Sequence, residues 1–245
     1  YSGRNTPQLR IPLYSELQYN AYNRFEVQCT DGRTPDVLDG ILIAADDALF
    51  RKSMIRLHRE QPMHALTLHA RLTPAGCYPP WLLKRQRYWT VVGVEEDTKE
   101  SLFAEDGDME LYKSFSITPF IRLGNQFITA RDTQLEQSLR DGFLPMPRVT
   151  WRHPEFRMNV DAWAWGPPEA STTYITYRLQ NTSTQLLSGT LYPAIRPYEV
   201  NPPWQWGGLN RIDHLHRKTD GSIQVNEYRV VPCNPPTSFA VASPD

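Results

Sequence analysis

Residues Arg157–Trp165, RMNVDAWAW, alternate without a break from Met158 onward. Met158, Val160, Ala162 and Ala164 share one face, and Asn159, Asp161, Trp163 and Trp165 share the other. A period of two fits a β-strand with one face in a core, because successive side chains leave a strand on opposite sides. Neighbouring segments carry the same signature. Thr172–Leu179 sets Tyr174, Thr176 and Arg178 against Thr173, Ile175, Tyr177 and Leu179. Phe115–Ile121 and Gln126–Thr129 alternate on either side of Gly124-Asn125, which predicts a tight turn. Thr133–Leu139 and Arg148–His153 read as further strands, the first closed by Asp141-Gly142. Leu144-Pro-Met-Pro147 reads as an extended linker between them. Thr190–Ile195 is expected to pair with Thr172–Leu179 through the polar loop Asn181–Thr184.

Trp89–Val94 is β-branched and nearly all apolar, so it predicts a buried strand. Glu105-Asp-Gly-Asp108 is a turn signal. Lys218–Ser222 reads as a hairpin loop in which Asp220-Gly221 suits a type I′ turn, and Tyr228–Val231 is a last short strand. Evenly spaced strands without intervening helices predict a mainly β chain built as a large antiparallel β-sandwich. The first third differs. Leu9–Leu13 and Phe25–Cys29 are strand-like, Asp46–Arg59 predicts a helix, and Met63–Leu72 fits helix and strand equally. Pro79-Pro80 breaks any helix there. The expected division is an N-terminal flank over 1–87, with mixed strands and a helix, and a sandwich over 88–245 that is cut short at its C-terminus. The start at Tyr1 and the stop after Phe239–Ala242 suit a piece of a longer polypeptide or a processed chain.

Balanced charge, 26 Lys+Arg against 27 Asp+Glu, argues against a nucleic-acid partner, which calls for a basic face. No apolar run approaches the roughly 20 residues of a membrane span, so no membrane partner is expected. Cys29, Cys77 and Cys233 share no short spacing, and their odd number favours a reducing compartment. A cytoplasmic location is therefore expected, with a periplasmic or secreted one as the alternative. Gly207-Gly208 stands alone rather than in a phosphate loop, and no cofactor is expected. No metal site is expected either. His214 and His216 share a strand face without a third ligand, and His64 and His69 lack i, i+4 spacing.

Several separate blocks carry a family resemblance. They are Tyr88–Val94, Glu100–Gly107, Phe115–Phe120, Leu139–Pro147, Ala164–Pro168, Tyr177–Thr182 and Ala194–Trp204. Together they resemble the N-terminal supersandwich region, of the galactose-mutarotase-like type, of large bacterial glycoside hydrolase-like and glycoside phosphorylase-like proteins. The resemblance covers roughly 150 residues, a sizeable single-core domain. It implies a non-catalytic sandwich that packs on an (α/α)6-barrel catalytic domain of the same polypeptide. The acid and base carboxylates would come from that barrel. An oligo- or polysaccharide is the implied ligand class.

Read from the residues themselves, Asn201-Pro-Pro-Trp-Gln-Trp206 is the strongest ligand candidate. Two prolines stiffen the backbone, so the indoles of Trp204 and Trp206 are presented at low entropic cost. An indole face stacks on the C–H face of a pyranose, and Asn201 or Gln205 can hydrogen-bond hydroxyls. The same loop suits docking of the barrel domain. Arg196 and Glu199 flank Pro197-Tyr198 and either orient the loop or touch sugar. Trp163 and Trp165, with Asn159 and Asp161, form an interdomain contact or a sugar platform. Adjacent acids at Asp46/Asp47, Glu95/Glu96 and Glu105/Asp106/Asp108 make poor glycosidase pairs, which need carboxylates converging from two sides of a bond. An autonomous carbohydrate-binding module is one alternative. A mutarotase-like epimerase using His153 and Glu199 is another.

Overall fold

The computed structural model describes residues 62–241. The strands expected over 9–13 and 25–29, the helix expected over 46–59, and Cys29 lie outside the described residues. What is described is a β-sandwich with one short α-helix. One sheet runs β1 (Trp89–Val92), β2 (Ser101–Ala104), β3 (Met109–Glu110), β4 (Ser116–Leu123), then β10 (Gly189–Arg196), with β5 (Gln126–Ile128) pairing β4. The second has four strands in chain order, β6 (Gln134–Arg140), β7 (Leu144–Arg152), β8 (Phe156–Trp165) and β9 (Thr172–Asn181). A small third sheet holds β11 (Leu215–Arg217), β12 (Ile223–Val225) and β13 (Tyr228–Val230). Every pairing is antiparallel.

The alternation along β8 works as the sequence predicts. Met158, Val160 and Ala162 are fully buried. With Val149 and Trp151 of β7 they meet Val92, Phe103, Met109, Ile121 and Ile128 of the first sheet. Each large side chain removed from water there contributes roughly 1.5–3 kcal/mol. Trp151 also donates its indole N–H to the Asp106 carbonyl at 3.0 Å, so its one polar atom is satisfied. Phe115, Ile223 and Val225 make a smaller core under the third sheet.

Four expectations change. β10 pairs with β4 in the other sheet, not with β9. The chain crosses between sheets after the Asn181 turn, so local adjacency did not set the partner. β1 is an edge strand of which only Val92 is buried, while Val91 is exposed. Residues 144–147 belong to β7 rather than to a linker. Pro147 lies opposite Leu139 beside an irregular register step at Leu139/Arg140, where a ladder N–H is dispensable. In the β11–β12 loop only Gly221 takes positive φ, at +84°, and the Lys218 amide donates to the Ser222 carbonyl at 2.8 Å. That is a three-residue loop with glycine at the left-handed position, not type I′. At Gly124-Asn125 the tight turn holds, with positive φ at Gly124 alone as type II′ requires.

Met63–Leu72 resolves as a helix. α1 (Pro62–Leu72) opens on a proline and buries Ala65, Leu66 and Ala70 on one face. Pro74 follows its end. Residues 62–87 pack on the sandwich. Leu66, Ala70, Trp81 and Leu82 cluster with Tyr198, and Trp81 donates its indole N–H to the Glu199 carbonyl at 3.0 Å.

Arg87 fixes this segment electrostatically. Its side chain is buried, and Nη2 donates to carboxylate oxygens of both Asp106 and Asp108. Burial alone would lower the Arg87 pKa, but the two carboxylates more than reverse it. The Asp108 carboxyl is raised, because burial outweighs the attraction of Arg87. Removing the cation strands two carboxylates in the interior. Arg87→Met is expected to lower unfolding free energy in urea at neutral pH by about 3–5 kcal/mol. The loss should shrink in acid, where protonation removes the stranded charge; an equal loss at both pH values would contradict this assignment.

Candidate functional site

The segment after β10 turns on Pro197 and returns through an isolated bridge between Tyr198 and Leu209. The Glu199 amide donates to the Gly208 carbonyl at 2.8 Å, and the Asn210 amide to the Pro197 carbonyl at 2.9 Å. Inside this frame Pro203–Gln205 forms one 3₁₀ turn that starts on two prolines. Asn201 Nδ2 donates to the Gln205 carbonyl at 2.7 Å and locks the tip. The buried Val200 amide donates to Glu110 Oε2 at 2.6 Å. The loop is thus tied to β3, to residues 62–87 and to itself.

Its tip is exposed. Trp204 is 63 % and Trp206 90 % accessible, and Gln205 is exposed beside them. Trp206 holds φ +60° and ψ 26°, the left-handed region, which disfavours any residue with a Cβ by roughly 1 kcal/mol. Lys84 ends the 3₁₀ turn Pro80–Leu83 in the same conformation, so at Trp206 it marks a turn end, one that leaves the indole in water.

The other residues singled out from this stretch have internal duties. The Arg196 guanidinium lies 4.6 Å from the Tyr198 ring centroid, 5.4 Å from Tyr78 and 5.5 Å from Phe120. It donates to the Cys77 carbonyl at 2.6 Å. Arg196 therefore clamps the helical segment to the first sheet. Glu199 is 6 % exposed, and its Oε1 accepts from Asn210 Nδ2 at 2.5 Å. Burial raises its carboxyl pKa. His153 stacks on Phe156 at the β7–β8 turn, 4.7 Å between centroids. No contact joins His153 to Glu199 among the described residues.

A cavity of about 40 Å³ lies beside Tyr78, Arg85, Asp106, Asp108 and Arg196. It has room for a few waters, while small-molecule pockets run to roughly 300 Å³ and above. A wider hollow of about 470 Å³ beside Asp213, His214, Asn226 and Glu227 lies open to solvent and, like the loop tip, is a surface feature.

The outer face of the second sheet is the other such surface. Trp163 lies directly opposite Tyr174, with parallel rings (7°) and centroids 5.3 Å apart. Trp165 follows on the same face and is 73 % exposed. Asp161 pairs across β8–β9 with Thr176 and accepts from Arg148 Nε at 2.5 Å. Asp161 Oδ2 and Thr176 Oγ1 are buried without a hydrogen-bond partner. Tyr174 joins the platform through register alone; its alternation was legible, its partner was not. The carboxylates of Glu105–Asp108 form the β2–β3 turn around Arg87 rather than an acid–base pair. Among the described residues no grouping of His, Cys, Asp and Glu could hold a metal ion.

Glu110 was not singled out by sequence reasoning, because an isolated Glu on a short strand gives no signal. It is 2 % exposed. Burial pushes its carboxyl up to about 7; the Val200 amide works against this and Glu199 with it. A comparison with protein-family models, with curated proteins and with solved structures finds no match for this chain.

The raised Glu110 carboxyl makes stability depend on pH in a definite direction. The folded state holds the proton up to about 7, whereas the unfolded chain releases it near 4.5. The stabilisation is full below the unfolded value and is lost as pH rises to the folded one. Its size is on the order of 3 kcal/mol. Glu110→Gln is expected to flatten the fall in melting temperature between pH 5 and 8. An unchanged slope in the variant would rule Glu110 out as its source.

Proposed function

We propose that this chain is a non-catalytic β-sandwich module of a carbohydrate-active enzyme, and that the tip of loop 201–206 stacks on sugar. The observation that carries the reading is the presentation of Trp204 and Trp206. A multiply bonded loop holds both indoles in water, one of them at a turn end. A fixed backbone under exposed aromatics favours affinity because the loop itself need not be ordered on binding. The blocks that resemble supersandwich regions point to the same ligand class. Four acids near the loop have internal partners, which fits a non-catalytic role for them: Asp106 and Asp108 bind Arg87, Glu110 binds the Val200 amide, and Glu199 binds Asn210.

A second reading rests on the same exposure. Exposed aromatic patches also mark interfaces. On that reading Trp204 and Trp206 dock the (α/α)6-barrel domain of the same polypeptide, and the melting temperature of the barrel-bearing protein falls when they are truncated.

The test is affinity electrophoresis of the protein in gels containing dextran, xyloglucan or galactomannan. At least one neutral polysaccharide should retard the protein. Trp204→Ala and Trp206→Ala should each weaken that retardation by about 1–3 kcal/mol, the range of interface aromatics. Undiminished retardation in both variants would remove the loop from sugar binding.

A further inference from the structure

The outer face of the second sheet carries a local excess of positive charge. Register puts Arg148, Arg152, Arg157 and Arg178 on that face, with Glu136 and Asp161 as its in-strand carboxylates and Asp141 near Arg148. Arg152 is bound to Glu136 through Nε at 2.9 Å and Nη2 at 2.5 Å. Arg148 is bound to Asp161. Arg157 and Arg178 have neither an ion pair nor a side-chain hydrogen bond among the described residues. Arg157 also lies directly opposite Arg152, and like charges in that position oppose sheet formation. The chain as a whole is close to neutral, at −1, so the excess belongs to this face.

The two open arginines are neighbours. Arg157 pairs with Gln180 and Arg178 with Asn159, which makes the arginines diagonal across β8–β9 at roughly 7–8 Å. Two guanidinium forks at that spacing suit one carboxylate or sulfate group between them. Asn159 and Gln180 complete the square with groups that hydrogen-bond hydroxyls. Four residues along β9 from Arg178, about 13 Å away, stands the Trp163–Tyr174 stack. Asp161 Oδ2 and Thr176 Oγ1, which lie between the two, are buried and out of a ligand's reach.

We infer that this face is a second binding site, for an acidic oligosaccharide. Its anionic group, a uronate carboxylate or a sulfate ester, sits in the Arg157–Arg178 clamp, and a neighbouring ring packs on Trp163 and Tyr174. A neutral glycan would leave the clamp unmatched. A nucleic acid is the less favoured occupant, because its binders carry a strongly basic face, whereas this face offers one open arginine pair. The inference is independent of the loop reading, since it uses other residues on another surface.

The experiment is calorimetric titration of the intact protein with polygalacturonate, its fully methyl-esterified form, dextran sulfate, dextran and single-stranded DNA. Polygalacturonate or dextran sulfate should bind, and which one binds identifies the anionic group. The ester and plain dextran should bind at least tenfold more weakly at this face. Arg157→Gln with Arg178→Gln should weaken the acidic glycan at least tenfold while leaving the melting temperature unchanged or higher, because a like-charge contact is removed. Trp204→Ala with Trp206→Ala should leave acidic-glycan binding intact, so failure of the loop reading is seen separately. Equal binding of acid and ester, no effect of the arginine double variant, tighter binding of DNA, or no binding of either acidic glycan would each overturn the inference.

Discussion

The described sandwich depends on the shared apolar seam between its two main sheets. β7 and β8 contribute Val149, Trp151, Met158, Val160 and Ala162, and the first sheet answers with Phe103, Met109, Ile121 and Ile128. A strand has a period of two, so committing one face to that seam commits the other to water. The outer platform of Trp163, Trp165 and Tyr174 is therefore a consequence of the same alternation that builds the core. A slip of one residue in β8 would turn Asp161 and Trp163 into the seam and Met158 and Val160 out of it together.

The segment over residues 62–87 converts the sandwich into a frame for a rigid loop. Trp81 reaches the Glu199 carbonyl, Arg196 reaches the Cys77 carbonyl, and Arg87 holds the Asp106–Asp108 turn. These contacts join parts of the chain far apart in sequence, so the entropy of ordering the loop is met by folding rather than by binding. Trp206 can then sit in a left-handed conformation that an isolated loop would relax. Arg196 and Glu199, expected either to orient the loop or to touch sugar, have partners within this frame.

The legible part of the fold was the local part. Alternation located β8 and β9 and sorted their faces correctly, and Gly124 marked its turn. The partner of β10 was not legible, because β-branched character says nothing about which sheet a strand joins. β1 looked buried for the same reason: an edge strand and a central strand can share a composition. At the candidate site, Trp204 and Trp206 were legible from prolines and aromatics in one short run. The roles of Arg196, Glu199 and Glu110 were not, since each is set by a partner many residues away.

Two indoles stand exposed on a folded frame, and the proposal is that they stack on sugar. The chain has seven tryptophans, and each gives its own indole N–H resonance in a ¹⁵N-labelled sample. Titrating that sample with neutral oligosaccharides is the most direct test. The account predicts saturable shifts confined to Trp204 and Trp206, with the buried Trp81 and Trp151 unmoved. Seven unmoved signals, or shifts that bypass Trp204 and Trp206, would contradict it.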